Sequence, residues 1–182
     1  RGAPEFSANS GGSVTGLDAN FLPSMASAIQ LAQEYDLYLV FTLWDFSMVF
    51  ADSTAFGSGE HSGYHGNLIT NSTDRQSFIN NALLPMLDYP VGGYTIGTHP
   101  NVLAWEIINE PEWIITNLNA LDGRAVQPVT LAQMHRFVAE LSSAIHQNSN
   151  QMVTVGSASL KWNSDTALGA DGNFWSDADL SP

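Results

Sequence analysis

The sequence lacks cysteine, has few basic residues and contains no long apolar run. The absence of cysteine excludes disulfide bonds and thiol catalysis, but it leaves the cellular compartment open. Five basic residues against eighteen acidic ones give a formal net charge of −13. Such a surface repels nucleic acid and anionic membranes, so neither is an expected partner. No apolar run reaches the roughly 20 residues that a membrane-spanning helix needs.

The chain does have enough apolar sequence to form one core. Its 182 residues are 44% hydrophobic, a fraction typical of a globular domain. Five of the residues are tryptophan. An indole ring either fills a core or offers a flat face on which a sugar ring can stack. Composition leaves both alternatives open for each tryptophan.

Three apolar runs alternate with helical patterns along the chain. They span residues 37–43, 102–108 and 152–156. The first is apolar almost throughout, which predicts a strand buried on both faces, as in a parallel sheet. Because strands and helices alternate, we predict that the three strands are parallel neighbours and that the helices pack on one side of them.

Apolar residues at intervals of three and four predict the helices. One begins near Phe21, one lies around residues 78–87 and one begins near Thr130. Pro85 is expected to bend the second helix or to end it early, because it lacks a backbone donor. Thr130 and Gln133 form a predicted capping box at the start of the third helix. The long loops follow the strands, where parallel α/β folds place their functional sites.

The most specific segment is Val-Leu-Ala-Trp-Glu-Ile-Ile-Asn-Glu-Pro-Glu-Trp, at residues 102–113. It is an apolar strand that ends in Asn-Glu-Pro and follows the turn His99-Pro100-Asn101. This arrangement resembles the fourth strand of glycoside hydrolase family 5, a cellulase- and mannanase-like family in a clan of retaining (β/α)8-barrel enzymes. The resemblance extends loosely over the flanking elements. It implies an α/β fold, namely a partial TIM (β/α)8 barrel with parallel strands.

The resemblance further implies that the chain holds only strands three to five of the barrel. Its 182 residues are fewer than the roughly 250 that a complete barrel needs. Residues 1–182 are therefore expected to form a single partial catalytic domain, truncated at both ends. The arginine on strand two and the nucleophilic glutamate on strand seven of the family have no counterpart in this sequence.

A retaining glycosidase needs two carboxyl groups. One protonates the leaving oxygen and then acts as base toward water, and the other, about 5 Å away, is the nucleophile. By the resemblance, Glu110 matches the acid/base and Asn109 matches the residue that binds the sugar 2-hydroxyl. Pro111 lacks a backbone donor and turns the chain off the strand. The other nearby carboxylates do not occur in the context of the nucleophile; they are Glu112, Asp45, Glu60 and Asp165.

Four further residues are candidate substrate contacts. Trp44 and Asp45 end the strand-three run, where family members often place such contacts, although the histidine common in that region is not at this strand end. Trp113 and Trp162 follow strands four and five and are placed to stack on sugar rings. For each tryptophan, a position in the core is the alternative.

Two other features have mainly structural interpretations. Glu106 lies in the middle of a strand, where burial of a carboxylate is costly without a partner. We interpret it as one member of an ion pair whose partner lies outside this chain. His61 and His65 have a spacing that suits a metal, but no acidic or cysteine residue completes a strong ligand set. No metal or other cofactor is therefore expected.

The function that the resemblance implies is hydrolysis of a β-1,4-linked glucan or mannan by a secreted O-glycosyl hydrolase. The expected partner is the polysaccharide or an oligosaccharide of it. The isolated chain is expected to be inactive, and to associate with itself or with a complementing barrel segment, since an open sheet exposes its edges. The alternative is a non-catalytic carbohydrate-binding fragment, or a half-barrel completed by a partner.

Overall fold

The computed structural model describes residues 4–6, 12–49, 65–118, 128–166 and 172–176. In chain order, the strands are β1 (Pro4–Phe6), β2 (Val14–Leu17), β3 (Leu39–Thr42), β4 (Pro90–Val91), β5 (Tyr94–Thr95), β6 (Val102–Asn109), β7 (Met152–Gly156), β8 (Asn163–Ser164) and β9 (Gly172–Asn173). The α-helices are α1 (Phe21–Glu34), α2 (Gly66–Thr70), α3 (Ser72–Phe78), α4 (Leu84–Asp88) and α5 (Leu131–Asn148). No helix in the described ranges is long and apolar enough to span a membrane.

The central sheet is parallel and has the order β3-β6-β7. The predicted arrangement of three neighbouring parallel strands is therefore confirmed. The remaining strands form two-stranded antiparallel pairs, namely β1 with β2, β4 with β5 and β8 with β9. Since β6 is paired on both sides, it is the strand whose position is most strongly determined.

The first strand differs from its prediction in length and burial. It spans Leu39–Thr42 rather than 37–43, and Tyr38 is 63% exposed. Val40 within the strand is 48% exposed, so the prediction of burial on both faces is wrong. Within the described residues, β3 pairs only with β6, and nothing covers the face that carries Val40. An apolar run indicates that a strand can be buried, but it does not indicate which face of the strand is covered by other residues.

The two faces of the sheet have different surroundings. Register aligns Thr42, Glu106 and Thr154 as cross-strand neighbours on one face, where both threonines are exposed. The other face carries Phe41, which lies against the ring of Trp105 with centroids 5.5 Å apart. Trp105 is fully buried in the core that the helices cover. The helices therefore pack on one side of the sheet, as predicted.

The turn before β6 is fixed by a buried polar network. His99 is 1% exposed, and its Nδ1 accepts a hydrogen bond from the backbone N–H of Asn101 at 3.2 Å. Burial lowers the pKa of His99, which favours the neutral ring. Gln151, just before β7, donates to the His99 carbonyl at 3.2 Å and accepts from Trp105 Nε1 at 2.6 Å. These bonds hold the starts of β6 and β7 together.

The helix around Pro85 continues beyond the proline, which corrects the expectation that Pro85 ends it early; that Pro85 bends the helix stays a prediction. Residues 72–88 are helical throughout, with a π turn at Ile79–Leu83 between α3 and α4. In that turn the backbone N–H of Leu84 donates to the carbonyl of Ile79, five residues earlier. A proline would otherwise clash with the carbonyl four residues before it. The wider turn accommodates the ring, so the helix continues to Asp88.

The start of α5 gives a direct test of the fold. Thr130 Oγ1 accepts from the backbone N–H of Gln133 at 3.2 Å, and Gln133 Oε1 accepts from the backbone N–H of Thr130 at 2.9 Å, the predicted capping box. We expect Thr130→Ala to lower the free energy of unfolding by about 1 kcal/mol, because a helix donor loses its acceptor. Urea denaturation measures the change. Thr130→Ser retains the hydroxyl and is the matched control; an equal loss in both variants would show that the cap is not the cause.

Candidate active site

The site is built where β6 ends. As predicted, Glu110 lies at the carboxyl end of this strand, with Asn109 beside it as the last strand residue. Glu110 has φ 51° and ψ 48°, a left-handed conformation that is uncommon for a residue with a side chain. Pro111 begins a 3-10 turn, Pro111–Ile114. The strand therefore ends just before Glu110, and the chain continues directly into this turn.

Glu110 is held by its backbone and by its carboxylate. Its backbone N–H donates to the carbonyl of Gly156, the last residue of β7, at 2.5 Å. Its Oε2 accepts from Nε1 of Trp113 at 2.9 Å. The side chain is half-buried, so it is both oriented and reachable. A carboxyl group with one oxygen fixed by a neutral donor is suited to exchange a proton with a bound molecule.

Trp113 connects Glu110 to a second tryptophan. The rings of Trp113 and Trp162 meet edge to face, with centroids 5.6 Å apart. Trp162 is only 4% exposed, and the Lys161 ammonium lies 5.2 Å from its ring centroid. Trp113 is half-buried. Of the two predicted stacking residues, Trp113 offers accessible surface, whereas Trp162 is buried against the edge of Trp113, which corrects its prediction as a substrate contact.

Asp45 lies against Asn109 and fixes its amide. Asn109 Nδ2 donates to Asp45 Oδ2 at 2.9 Å, and the other oxygen of Asp45 accepts from the backbone N–H and the hydroxyl of Ser47. The backbone N–H of Asn109 donates to the carbonyl of Trp44 at 2.9 Å. The end of β3 thus sets the orientation of the residue beside Glu110. Asp45 was predicted to contact the substrate. In the structure its carboxylate contacts Asn109 directly.

Trp44 lies in the core, which corrects its prediction as a substrate contact. It is 2% exposed, and its ring meets those of Phe78 and Phe137 at centroid distances of 5.3 and 6.1 Å. Its flat faces are therefore not available to a sugar ring. The side chain of Trp44 instead points to the face of the sheet that the helices cover, where it meets Phe78 of α3 and Phe137 of α5.

Glu106 lies next to Gly156 across the β6–β7 pairing. A Cβ atom at Gly156 would be 2.7 Å from Glu106 Oε1 and 3.1 Å from Asn109 Oδ1. No larger residue fits there without displacing one of the two side chains. Within the described residues, Glu106 makes no ion pair. The prediction that its ionic partner lies outside this chain remains a prediction.

Glu112 is the residue whose importance the sequence did not reveal. It is completely buried, and its two oxygens accept hydrogen bonds from the Ser157 hydroxyl at 2.6 Å, the Ala158 backbone N–H at 3.0 Å and Trp175 Nε1 at 2.7 Å. The sequence showed only a carboxylate outside the context of the nucleophile. The signal available was its place directly after Asn-Glu-Pro, on the same short turn as Glu110.

The remaining sequence candidates are not at this site or cannot be located. Glu60 and His61 lie outside the described residues. Asp165 accepts from the backbone N–H of Asn173 at 3.0 Å and so closes the β8–β9 pair. Within the ranges that the structure covers, no group of three or more histidine, aspartate or glutamate side chains could hold a metal ion.

The chain is similar to known proteins both in sequence and in structure. No protein-family model matches the chain. It is 30% identical to mannan endo-1,4-beta-mannosidase of Mytilus edulis, over 96% of this chain and 46% of that protein. It is 26% identical to mannan endo-1,4-beta-mannosidase of Cryptopygus antarcticus, over 85% of this chain and 40% of that protein. The chain thus spans less than half the length of these relatives.

Solved structures agree with the sequence comparison. The beta-mannanase of the blue mussel Mytilus edulis superimposes with a TM-score of 0.73 at 28% identity, covering 98% of this chain and 49% of that one. The beta-1,4-mannanase of the sea hare Aplysia kurodai superimposes with a TM-score of 0.72 at 23% identity, covering 97% and 50%. At 23% identity, the likeness to the Aplysia kurodai structure shows a shared fold only. The parallel sheet and its helices thus have the fold of one part of these mannanases, and the chain is similar to β-mannanases over about half of their length.

Proposed function

We propose that the protein to which this chain belongs hydrolyses β-1,4-linked mannan with retention of configuration, and that Glu110 is its acid/base. The observation that carries the proposal is the geometry of Glu110, a half-buried carboxylate at the carboxyl end of a parallel barrel strand. That end of the strands is where barrel enzymes build their active sites. The family relationship supports the reaction class.

Each residue around Glu110 has a task in this proposal. Glu110 gives its proton to the glycosidic oxygen as the bond breaks, and then takes a proton from the water that attacks the glycosyl intermediate. Asn109 binds the sugar 2-hydroxyl, with its amide oriented by Asp45. Trp113 orients the Glu110 carboxylate and presents its ring beside it. The nucleophile is a second carboxylate that the sequence does not supply in a recognisable context.

Mannan is the substrate that we favour over glucan. The sequence alone left both polysaccharides open. The relatives whose names specify a substrate are endo-acting β-mannanases. Mannose and glucose differ in the configuration of the 2-hydroxyl, the group that Asn109 is proposed to bind. We therefore infer an endo-acting enzyme on mannan or manno-oligosaccharides, and we propose that it acts outside the cell, where such polymers are found.

The 182-residue chain by itself is proposed to be one part of a single catalytic domain. Two described carboxylates near Glu110 are engaged in other bonds; Asp45 holds Asn109, and Glu112 is completely buried. Within the described residues, β3 and β7 each pair on one side only, and Met152 on β7 is 57% exposed. A groove of about 690 Å³ also lies open between α5 and β7. These open surfaces favour association with a complementing segment or with a second copy.

Replacement of Glu110 tests the proposed reaction. In the longest natural form of the protein, we expect Glu110→Gln to lower kcat/KM on β-1,4-mannan by roughly 10²- to 10⁴-fold, because the amide has the shape of the acid but transfers no proton. Release of reducing ends measures the loss. Glu34→Gln changes an exposed carboxylate on α1 and should leave activity unchanged. Activity of Glu110→Gln within a few-fold of the wild type would remove Glu110 from the mechanism.

The 182-residue chain offers a second test. We expect it to release no reducing ends from soluble β-mannan or β-glucan, because a retaining mechanism needs two carboxylates in fixed register. Light scattering on the same sample should show oligomers or aggregates. Robust turnover by a monodisperse monomer would contradict the proposal, and would mean that one of the carboxylates in this chain is the nucleophile.

A further inference from the structure

We propose that Glu112 is a positioning residue that holds Glu110 and Trp113 in their working geometry; this inference rests on the proposed function. The hydrogen bonds described above join its carboxylate to Ser157, Ala158 and Trp175. Its action is through the turn Pro111–Ile114, which begins directly after Glu110 and carries both Glu112 and Trp113. A turn of four residues is displaced as a unit when its anchor is lost.

The anchor is a row of three consecutive residues that begins with Gly156, the last residue of β7. The Gly156 carbonyl accepts from the backbone N–H of Glu110, the Ser157 hydroxyl donates to Glu112 Oε1, and the Ala158 backbone N–H donates to Glu112 Oε2. The chain after β6 is thereby bonded to the end of β7 at two points, the backbone of Glu110 and the carboxylate of Glu112. Hydrogen bonds to a buried charged acceptor are about twice as strong as bonds between neutral groups, so these bonds dominate the local geometry.

Trp175 extends this anchor to a distant part of the chain. Its Nε1 donates to Glu112 Oε1 at 2.7 Å, and its ring meets that of His135 edge to face, with centroids 5.6 Å apart. His135 lies on α5, and its Nε2 is 2.6 Å from the carbonyl oxygen of Phe174. Glu112 therefore joins the β6 turn to the β7 loop and to the 172–176 segment, which in turn contacts α5 through His135. A merely space-filling residue would not need a carboxylate there.

Glu112→Gln removes the charge while preserving the shape. One of the two oxygens becomes an NH₂ donor, which then faces either the Ala158 N–H or the donors on Oε1. This conflict should shift the turn, and with it Glu110. In the longest natural form of the protein, we expect kcat on β-1,4-mannan to fall by about 10- to 100-fold with KM changed less than about twofold, since a small misplacement of a catalytic group costs rate.

A measurement without substrate separates positioning from a local structural effect. In ¹⁵N-labelled protein, the indole N–H signals of the five tryptophans can be assigned by Trp→Phe variants. We expect Glu112→Gln to move the Trp175 signal, whose acceptor it alters, and also the Trp113 signal, whose acceptor is Glu110. Glu140→Gln, which alters another hydrogen-bonded carboxylate, the partner of Arg75, is the matched control and should move neither.

The outcomes distinguish this inference from the proposed function. Movement of the Trp175 signal alone, with Trp113 unchanged, would overturn the positioning role whatever the activity. Movement of both signals in a protein that releases no reducing ends even as wild type would uphold the coupling and overturn the proposed function. If Glu112→Gln does not fold, Ser157→Ala removes a single donor and is subject to the same criteria, with a smaller loss of kcat expected.

Discussion

Everything at the candidate site depends on the pairing of β6 with a parallel neighbour on each side. The pairing with the β3 side brings Asp45 level with Asn109, and the pairing with β7 brings Gly156 level with Asn109, so that the Gly156 carbonyl accepts from the backbone N–H of Glu110. Three segments far apart in the sequence therefore reach the same edge of the sheet. The left-handed conformation of Glu110 then ends the strand at the point where the neighbouring strands end, so that its carboxylate lies among their loops.

Much of this could be predicted because the signals are local. Apolar runs predicted three strands, the Asn-Glu-Pro sequence located the strand end, and Thr130 with Gln133 predicted the start of α5. The errors arose where the outcome depends on partners elsewhere in the chain. The exposure of Val40 depends on whether another strand covers it, and the path of helix 72–88 depends on a π turn that relieves Pro85. The sequence gives no direct sign of either.

The residues of the candidate site likewise fall into those that the sequence identified and those that it did not. The sequence singled out Glu110 and Asn109 through the resemblance of residues 99–113 to the fourth strand of a known glycosidase family. It did not separate a tryptophan in the core, such as Trp44, from one beside the carboxylate, such as Trp113, because both follow a strand and both are aromatic. Nor did it single out Glu112, whose three donors come from residues 45 to 63 positions away. Long-range hydrogen bonds of this kind become visible only in three dimensions.

The most direct test of the account is the dependence of activity on the leaving group. An acid catalyst matters when the leaving oxygen is a sugar hydroxyl, and matters little when it is an acidic phenol that departs without a proton. In the longest natural form of the protein, Glu110→Ala should therefore lose most of its rate on manno-oligosaccharides. Formation of the glycosyl intermediate from a dinitrophenyl β-mannoside, seen as the burst of phenol release, should be nearly as fast as in the wild type. Equal losses on both substrates would contradict the assignment of Glu110 as the acid.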